Sequence, residues 1–323
     1  MQCIRSLTRA LTQSVLIGTL VWSSAALAAW PDKPVSLIAP FAPGGNADVL
    51  ARQLASALSG PLGQPMVVVN KPGAGGMLGS QYVAHAKADG QTFLLGSFAN
   101  VLNEFFYTKK LLDLRKDLVP VAQLVSIPNY IAVSPNSKYQ SLKELLDDAK
   151  KRPGQVSCAT SGVGTSSHLL CEMLNQQFGV QITTVPYRGG APAITDVIAG
   201  QASFVAGNEA LPYIKDKRLK GLAISSPERS PLAPDLPAVA ELQPGFSMVS
   251  WFAIFAPAGT PKAIVEQMSQ AIAGALKTPV MKERLDALGA TAVGSSPAQF
   301  NTFLLAELAK WEQVLKPMNI RLD

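Results

Sequence analysis

Short apolar runs rich in β-branched residues alternate along this chain with stretches whose apolar residues recur at helical spacing. Val35 to Pro40 (VSLIAP) is the first such run, and a turn-rich loop, Phe41-Ala42-Pro43-Gly44-Gly45-Asn46, follows it. Asp48 to Leu58 then sets Val49, Leu50, Leu54 and Leu58 on one helical face. Met66 to Val69 (MVVV) predicts a second strand. A second Gly-rich loop, Asn70 to Gly76, and a helix through Ala84 come next, and Thr92 to Leu95 predicts a third strand ending at Gly96-Ser97. Strands that alternate with helices predict a parallel α/β sheet.

The pattern changes near residue 127 and then recurs. Tyr130 to Val133 reads as a strand. The helix from Ser141 to Lys151 opens on a capping box of Ser141 and Glu144. Val156 to Ala159 predicts a strand, Thr160 to Ser166 (TSGVGTS) a loop and Ser167 to Phe178 a helix. Ile182 to Val185, Pro186 to Ala191 (PYRGGA) and Pro192 to Ala199 repeat that order. Phe204 to Ala206 and Leu222 to Ser225 are further strands, and Trp251 to Ala256 predicts a strand returning to the first unit. Pro261 to Leu276, Pro279 to Leu288 and Pro297 to Lys316 are helical.

The first residues stand apart from this pattern. Arg5 and Arg9 precede an apolar run, Ser14 to Ala25, and Ala26-Leu27-Ala28 has the small-x-small form of a signal-peptidase site. Residues 1–28 are therefore expected to be a signal peptide, cleaved before Ala29. The run is shorter than the ~20 residues that span a bilayer, and Cys3 lies too early for a lipoprotein anchor. The mature chain is expected to be exported and soluble in the periplasm.

Composition fits a large buried core: 48% hydrophobic and 15% charged residues. The formal charge of +6 loses two units with Arg5 and Arg9, and the remaining excess is scattered, without basic runs interleaved with aromatics. That excludes a nucleic-acid surface, while a mild positive field favours anionic ligands. Cys158 and Cys171 remain after processing. The periplasm permits a disulfide between them, and two buried thiols are the alternative. Neither has a C-x-x-C partner, so no zinc is expected, and no cofactor either.

The loops carry the chemistry. A carboxylate needs convergent donors and a positive potential, and a helix N-terminus supplies both. In Pro43-Gly44-Gly45-Asn46 the missing side chains let a ligand approach the backbone. Gly162 to Ser166 repeats the arrangement in the second unit and adds the hydroxyls of Thr165 and Ser166. Either loop alone is an ordinary turn. The two together, each between a strand and a helix, favour binding.

Five blocks in order, WPDKPVSLIAPFAPGGNADVLAR (30–52), LGQPMVVVNKPGAGGMLGS (62–80), SGVGTSSHL (161–169), VPYRGGAPAITDVIAGQ (185–201) and WFAIFAPAGTPKAIV (251–265), resemble the Bug-family (TctC-like) extracytoplasmic solute receptors of tripartite tricarboxylate transporters. The likeness runs from Trp30 to about Lys316. It implies the type II periplasmic-binding-protein fold: α/β, two α/β domains with a hinge and an interdomain ligand cleft. Residues 30–127 with 251–323 would form domain 1 and 128–250 domain 2. It implies that the first and fourth loops hold a ligand carboxylate, here Phe41, Ala42, Gly44, Gly45 and Asn46 with Gly164, Thr165 and Ser166. The partners implied are a small carboxylate and the permease subunits of a tripartite tricarboxylate transporter. A sensor kinase is the alternative partner, and the chain is expected to be a monomer.

Ser97 and Asn100 follow the third strand and are candidate ligand contacts, as are Tyr187 and Asn208; Arg188 is expected to be an exposed loop arginine, with pairing to a distal carboxylate as the alternative. Asp48 is expected to order its loop, since an acid facing an anion would repel it. His168 is expected to be a structural hydrogen-bonding residue, and His85 a surface one. In one stretch the chain departs from the family: Gln201 to Glu209 reads QASFVAGNE, so Ser203 and Gly207 replace acids that relatives commonly carry. That predicts a ligand without an amino group, a mono- or dicarboxylate that an aromatic ring would also suit. An enzyme is the rival class. Ser166, His168 and Asp196 suggest a triad, but no G-x-S-x-G elbow, Walker lysine, H-E-x-x-H or G-x-G-x-x-G is present.

Overall fold

The computed structural model describes residues 30–41, 43, 44, 46–106, 112–187 and 189–316, and of Asn46 the backbone alone. The expected signal segment lies outside the described residues. In the first unit β1 (Val35–Ala39), β2 (Met66–Asn70) and β3 (Thr92–Ser97) run parallel, because α1 (Asn46–Leu62) and α2 (Met77–Ala84) return the chain between them. After α3 (Phe98–Phe106), β4 (Leu118–Pro128) runs the length of the sheet. Only Asn129 separates it from β5 (Tyr130–Val133), which belongs to a second sheet.

The second unit continues with α4 (Leu142–Lys151), β6 (Ser157–Thr160), α5 (Ser166–Phe178), β7 (Thr183–Pro186), α6 (Gly190–Ile198), β8 (Phe204–Gly207), α7 (Ala210–Lys215) and β9 (Lys220–Ile224). The chain then re-enters the first sheet as β10 (Val249–Pro257), followed by α8 (Lys262–Leu276), α9 (Pro279–Ala287), β11 (Thr291–Ala292) and α10 (Pro297–Leu315). The sheet orders are β11-β4-β10-β3-β1-β2 and β7-β6-β8-β5-β9. The arrangement is that of a type II binding protein, two α/β units joined by two crossings.

Helices cover both faces of the first sheet, which is why its strands read as continuous apolar runs rather than alternating ones. Leu50, Leu54 and Leu58 of α1 pack with Met268 and Ile272 of α8 on one face. Val101 of α3 and Phe300, Leu304 and Trp311 of α10 pack on the other, in a core continuous with α4 and α5 of the second unit. Cys158 of β6 and Cys171 of α5 form a disulfide with a Cα–Cα separation of 6.4 Å.

The crossings are built from hydrogen bonds. Asn129 N–H donates to Ser225 Oγ at 2.8 Å and Ser225 N–H returns a bond to the Asn129 carbonyl at 2.9 Å. Met248 N–H donates to the Ser225 carbonyl at 2.9 Å, and the Ser225 hydroxyl donates to the Met248 carbonyl. Beside the return crossing, Trp251 and Trp311 both donate their indole N–H to Glu307 Oε2, at 3.2 and 3.1 Å. This fixes α10 against β10 and satisfies a carboxylate that is almost wholly buried.

Candidate ligand-binding site

Parallel strands present their C-terminal ends on one edge of a sheet, where α/β proteins bind ligands. In the first sheet that edge carries Phe41 after β1, Asn70 at the end of β2 and Ser97 at the end of β3. In the second it carries Thr160 of β6, Tyr187 after β7 and Gly207 of β8. The pairing brings the two edges together. β10 sets Phe252 opposite Ser97 and Val249 opposite Pro128, while Tyr130 pairs with Gly207. Pro128-Asn129-Tyr130 therefore runs from one strand-end edge directly to the other.

The first loop is organised by Asp48. Its Oδ2 accepts from Gly44 N–H at 3.1 Å and from Arg52 Nε at 3.0 Å; its Oδ1 accepts from Asn70 Nδ2 at 2.8 Å. Asn70 Nδ2 also reaches the Phe41 carbonyl at 3.1 Å. Asp48 is 4% exposed, and the bond from Arg52, then those from Asn70 and Gly44, hold its carboxyl down to about 2. It is an anion that has spent its charge on the loop. Gly44 adopts φ +88°, where a side chain is strained. Ala42, Gly45 and the side chain of Asn46, all expected ligand contacts, lie outside the described residues, as does Arg188.

The fourth loop uses neutral groups. Thr165 caps α5: its Oγ1 accepts from His168 N–H at 3.3 Å and donates to the Gly162 carbonyl at 2.7 Å. Ser167 Oγ stands 2.9 Å from Thr165 Oγ1 and 2.8 Å from Ser161 Oγ. Gly164 N–H donates to His168 Nδ1 at 3.2 Å, which requires the neutral tautomer protonated on Nε2. Burial pushes the His168 pKa down, against the opposing pull of Glu172, whose Oε1 is 4.0 Å from Nε2. The Ser166 hydroxyl donates to Asn129 Oδ1 at 3.2 Å, tying the helix start to the crossing. The N–H groups of Ser166 and Ser167 have no acceptor among the described residues.

Other candidates separate. Ser97 lies at the edge, 5% exposed, its N–H bonded to Asn100 Oδ1 at 2.8 Å. Asn100 donates to Ser80 Oγ at 2.7 Å, so both ends of its amide serve the fold. Tyr187 turns its ring onto the α6 side, and its hydroxyl donates to Asp196 Oδ2 at 2.8 Å. Asp196 is thereby engaged with Tyr187 and makes no bond to His168. Asn208 is half-buried, and its amide has no hydrogen-bond partner among the described residues.

The reading of Gln201 to Glu209 needs correction. Ser203 lies at the start of β8, away from the edge, exchanging bonds with Ser157: Ser157 N–H to Ser203 Oγ at 3.1 Å and Ser203 N–H to Ser157 Oγ at 2.9 Å. Gly207 does lie at the edge, but the Glu209 side chain fills the space over it: a Cβ on Gly207 would stand 2.8 Å from Glu209 Oε2. The edge therefore keeps a carboxyl, and the expectation of a ligand without an amino group loses its basis. Glu209 and Asn129 escaped the sequence reading. The available signal for Asn129 was its place between the change of pattern near residue 127 and the strand predicted from Tyr130; Glu209 had none, since a loop glutamate is ordinarily solvated.

The sequence matches the family described as tripartite tricarboxylate transporter family receptor over residues 50–320. Protein BugT of Bordetella pertussis is 36% identical over 298 residues, covering 91% of each chain. Among solved structures, a protein of R. palustris with adipate is 34% identical with a TM-score of 0.77, covering 89% of this chain and 97% of that one. MatC from Rhodopseudomonas palustris with bound malate is 31% identical with a TM-score of 0.74, covering 88% and 100%. With this coverage on top of two α/β units meeting at their strand-end edges, the chain belongs to the TctC family of tripartite tricarboxylate transporter receptors, the group that includes the Bug proteins.

Proposed function

We propose that this chain is an exported receptor that captures a small mono- or dicarboxylate between its two units and hands it to the permease of a tripartite tricarboxylate transporter, without transforming it. The observation that carries this reading is the run of Pro128-Asn129-Tyr130 from the strand-end edge of one unit to that of the other, with the helix start at Ser166 bonded to Asn129. Ser166 and Ser167 present free N–H groups there, and the first loop, ordered by Asp48, stands at the strand-end edge of the other unit. A carboxylate seated between the edges meets donors from the second-unit helix start. The acids bound by the adipate and malate structures support the same ligand class.

In this reading residues 1–28 direct export, residues 30–127 with 251–323 form one lobe and 128–250 the other. Phe41, Ala42, Gly44, Gly45, Asn46, Ser97, Gly164, Thr165 and Ser166 line the carboxylate end. The lobes close about Asn129 and Ser225. The test is a thermal-shift screen of the purified protein against mono-, di- and tricarboxylates. A ligand at a hundred times its Kd stabilises the folded state by about 2.7 kcal/mol, a shift well above noise, and mass analysis of the released ligand should find it unchanged. No shift with any carboxylate, or a product of different mass, refutes the proposal.

A further inference from the structure

We infer that Glu209 is a specificity-determining residue of this site, selecting carboxylates that carry a hydrogen-bond donor, a hydroxyl or an ammonium group, away from the carboxylate seated at the helix starts. The inference rests on the receptor reading above and names the ligand more narrowly.

Glu209 follows β8 at the strand-end edge of the second sheet, next to Asn208. Its side chain folds back into a slot made by two glycines. A Cβ on Gly190, the first residue of α6, would stand 2.8 Å from Glu209 Cδ, and one on Gly207 would stand 2.8 Å from Oε2. Both positions therefore have to lack a side chain for the carboxyl to sit where it does. Apart from its own backbone N–H, the carboxyl has no hydrogen-bond or ion-pair partner among the described residues, and desolvation pushes its pKa up.

Carboxylates elsewhere in the fold are provided for: Asp48 by three donors, Glu307 by two indoles and Lys310, whose Nζ is 3.6 Å from Oε1. Among the described residues, Glu209 stands half-buried at the edge where ligand is expected and lacks such donors. A partly desolvated acceptor without a protein partner is costly, and a ligand donor that closes over it gains the difference. A ligand offering only hydrocarbon or a second anion there gains nothing or is repelled. Selection by an unpaired polar group works in this way: the analogue lacking the donor leaves the protein group unsatisfied.

The experiment is calorimetry with matched sets that differ in one substituent: succinate, malate and aspartate; glutarate, 2-hydroxyglutarate and glutamate. Wild-type protein should bind a hydroxyl- or ammonium-bearing member at least about 10-fold more tightly than its plain counterpart, the ratio expected for one hydrogen bond to a charged group. Glu209→Gln, equal in shape and checked for an unchanged melting temperature, should lose most of that ratio while binding the plain acid as well as wild type or better. Should Glu209→Gln fail to fold, Gly207→Ser in place of it displaces the carboxyl and should lower the ratio likewise. Binding of plain and donor-bearing acids alike, or a ratio unchanged in the variants, overturns the Glu209 assignment and leaves the receptor reading standing. Absence of binding to every acid of both sets and to every other carboxylate overturns both.

Discussion

The two loops proposed to hold the ligand occupy equivalent places in their units, each between a parallel strand and a helix start, yet they are ordered by opposite means. The first is gathered by one charge: Asp48 takes donors from its own loop, its own helix and the end of β2. The fourth is a mesh of hydroxyls and a neutral imidazole, Ser161, Thr165, Ser167 and His168, over a disulfide from β6 to α5. Electrostatic gathering concentrates the order of a loop in one group that acid can discharge. A neutral mesh divides it among several weaker bonds and leaves rigidity to covalent and apolar packing.

Three experiments break or sharpen that contrast. The largest effect belongs to the disulfide. Replacing Cys158 and Cys171 by alanine removes a cross-link over 13 residues, worth about 3 kcal/mol in the chain-entropy account. The melting temperature should fall by roughly 6–12 °C for a unit of this size, with ligand affinity changed less than about 3-fold, since the bond lies beneath the loop and not in it. Asp48→Ala should do the reverse. Calorimetry should show affinity down by roughly 10-fold or more as the Gly44 loop loses its anchor, while melting falls only by about 2–4 °C.

The smallest effect is the difference in pH dependence. The folded pKa of Asp48 is depressed from 3.8 to about 2, so its contribution is whole above pH 4 and disappears as pH falls toward 2. His168 is also depressed, from 6.5, by burial. As a base it favours the folded state while neutral, so its contribution is whole above pH 6.5 and declines as pH falls below that. Melting curves from pH 7.5 to 5 should show a drop in wild type that His168→Asn abolishes and Asp48→Asn leaves in place. A drop of equal size in both variants would show that His168 does not titrate as its burial demands.

Much of this architecture can be read from the chain, and the exceptions have causes. Strands β1 and β2 announce themselves as short apolar runs ahead of glycine loops, β3 as the apolar run Phe93-Leu94-Leu95, and β6 and β7 by the glycine loops that follow them. β4 does not: Pro120 and Gln123 interrupt its apolar pattern. In the structure Pro120 falls at a register shift against β10, where a missing N–H costs little, and Gln123 is buried with its N–H on Ser295 Oγ. α3, Phe98 to Phe106, sets Phe98, Val101, Leu102 and Phe106 at helical spacing, but it follows β3 at Ser97 with no intervening turn to mark its start. At the site, glycine loops and cap residues are local features and were legible, whereas the commitments of Asn100 to Ser80 and Tyr187 to Asp196 and the slot around Glu209 depend on residues brought together by the fold.

Ser225 gives the passage between the units a mechanical character. One side chain and its backbone bind the outgoing strand at Asn129 and the returning strand at Met248. Two independent straps would let one unit swivel on the other like a ball in a socket. Straps laced at one residue move as a single ribbon, which bends across its width and resists shear and twist. In the proposed closure the relative travel of the lobes is thereby reduced to one arc, like a door on its pin, and a ligand lodged between them is met at the same angle on every pass.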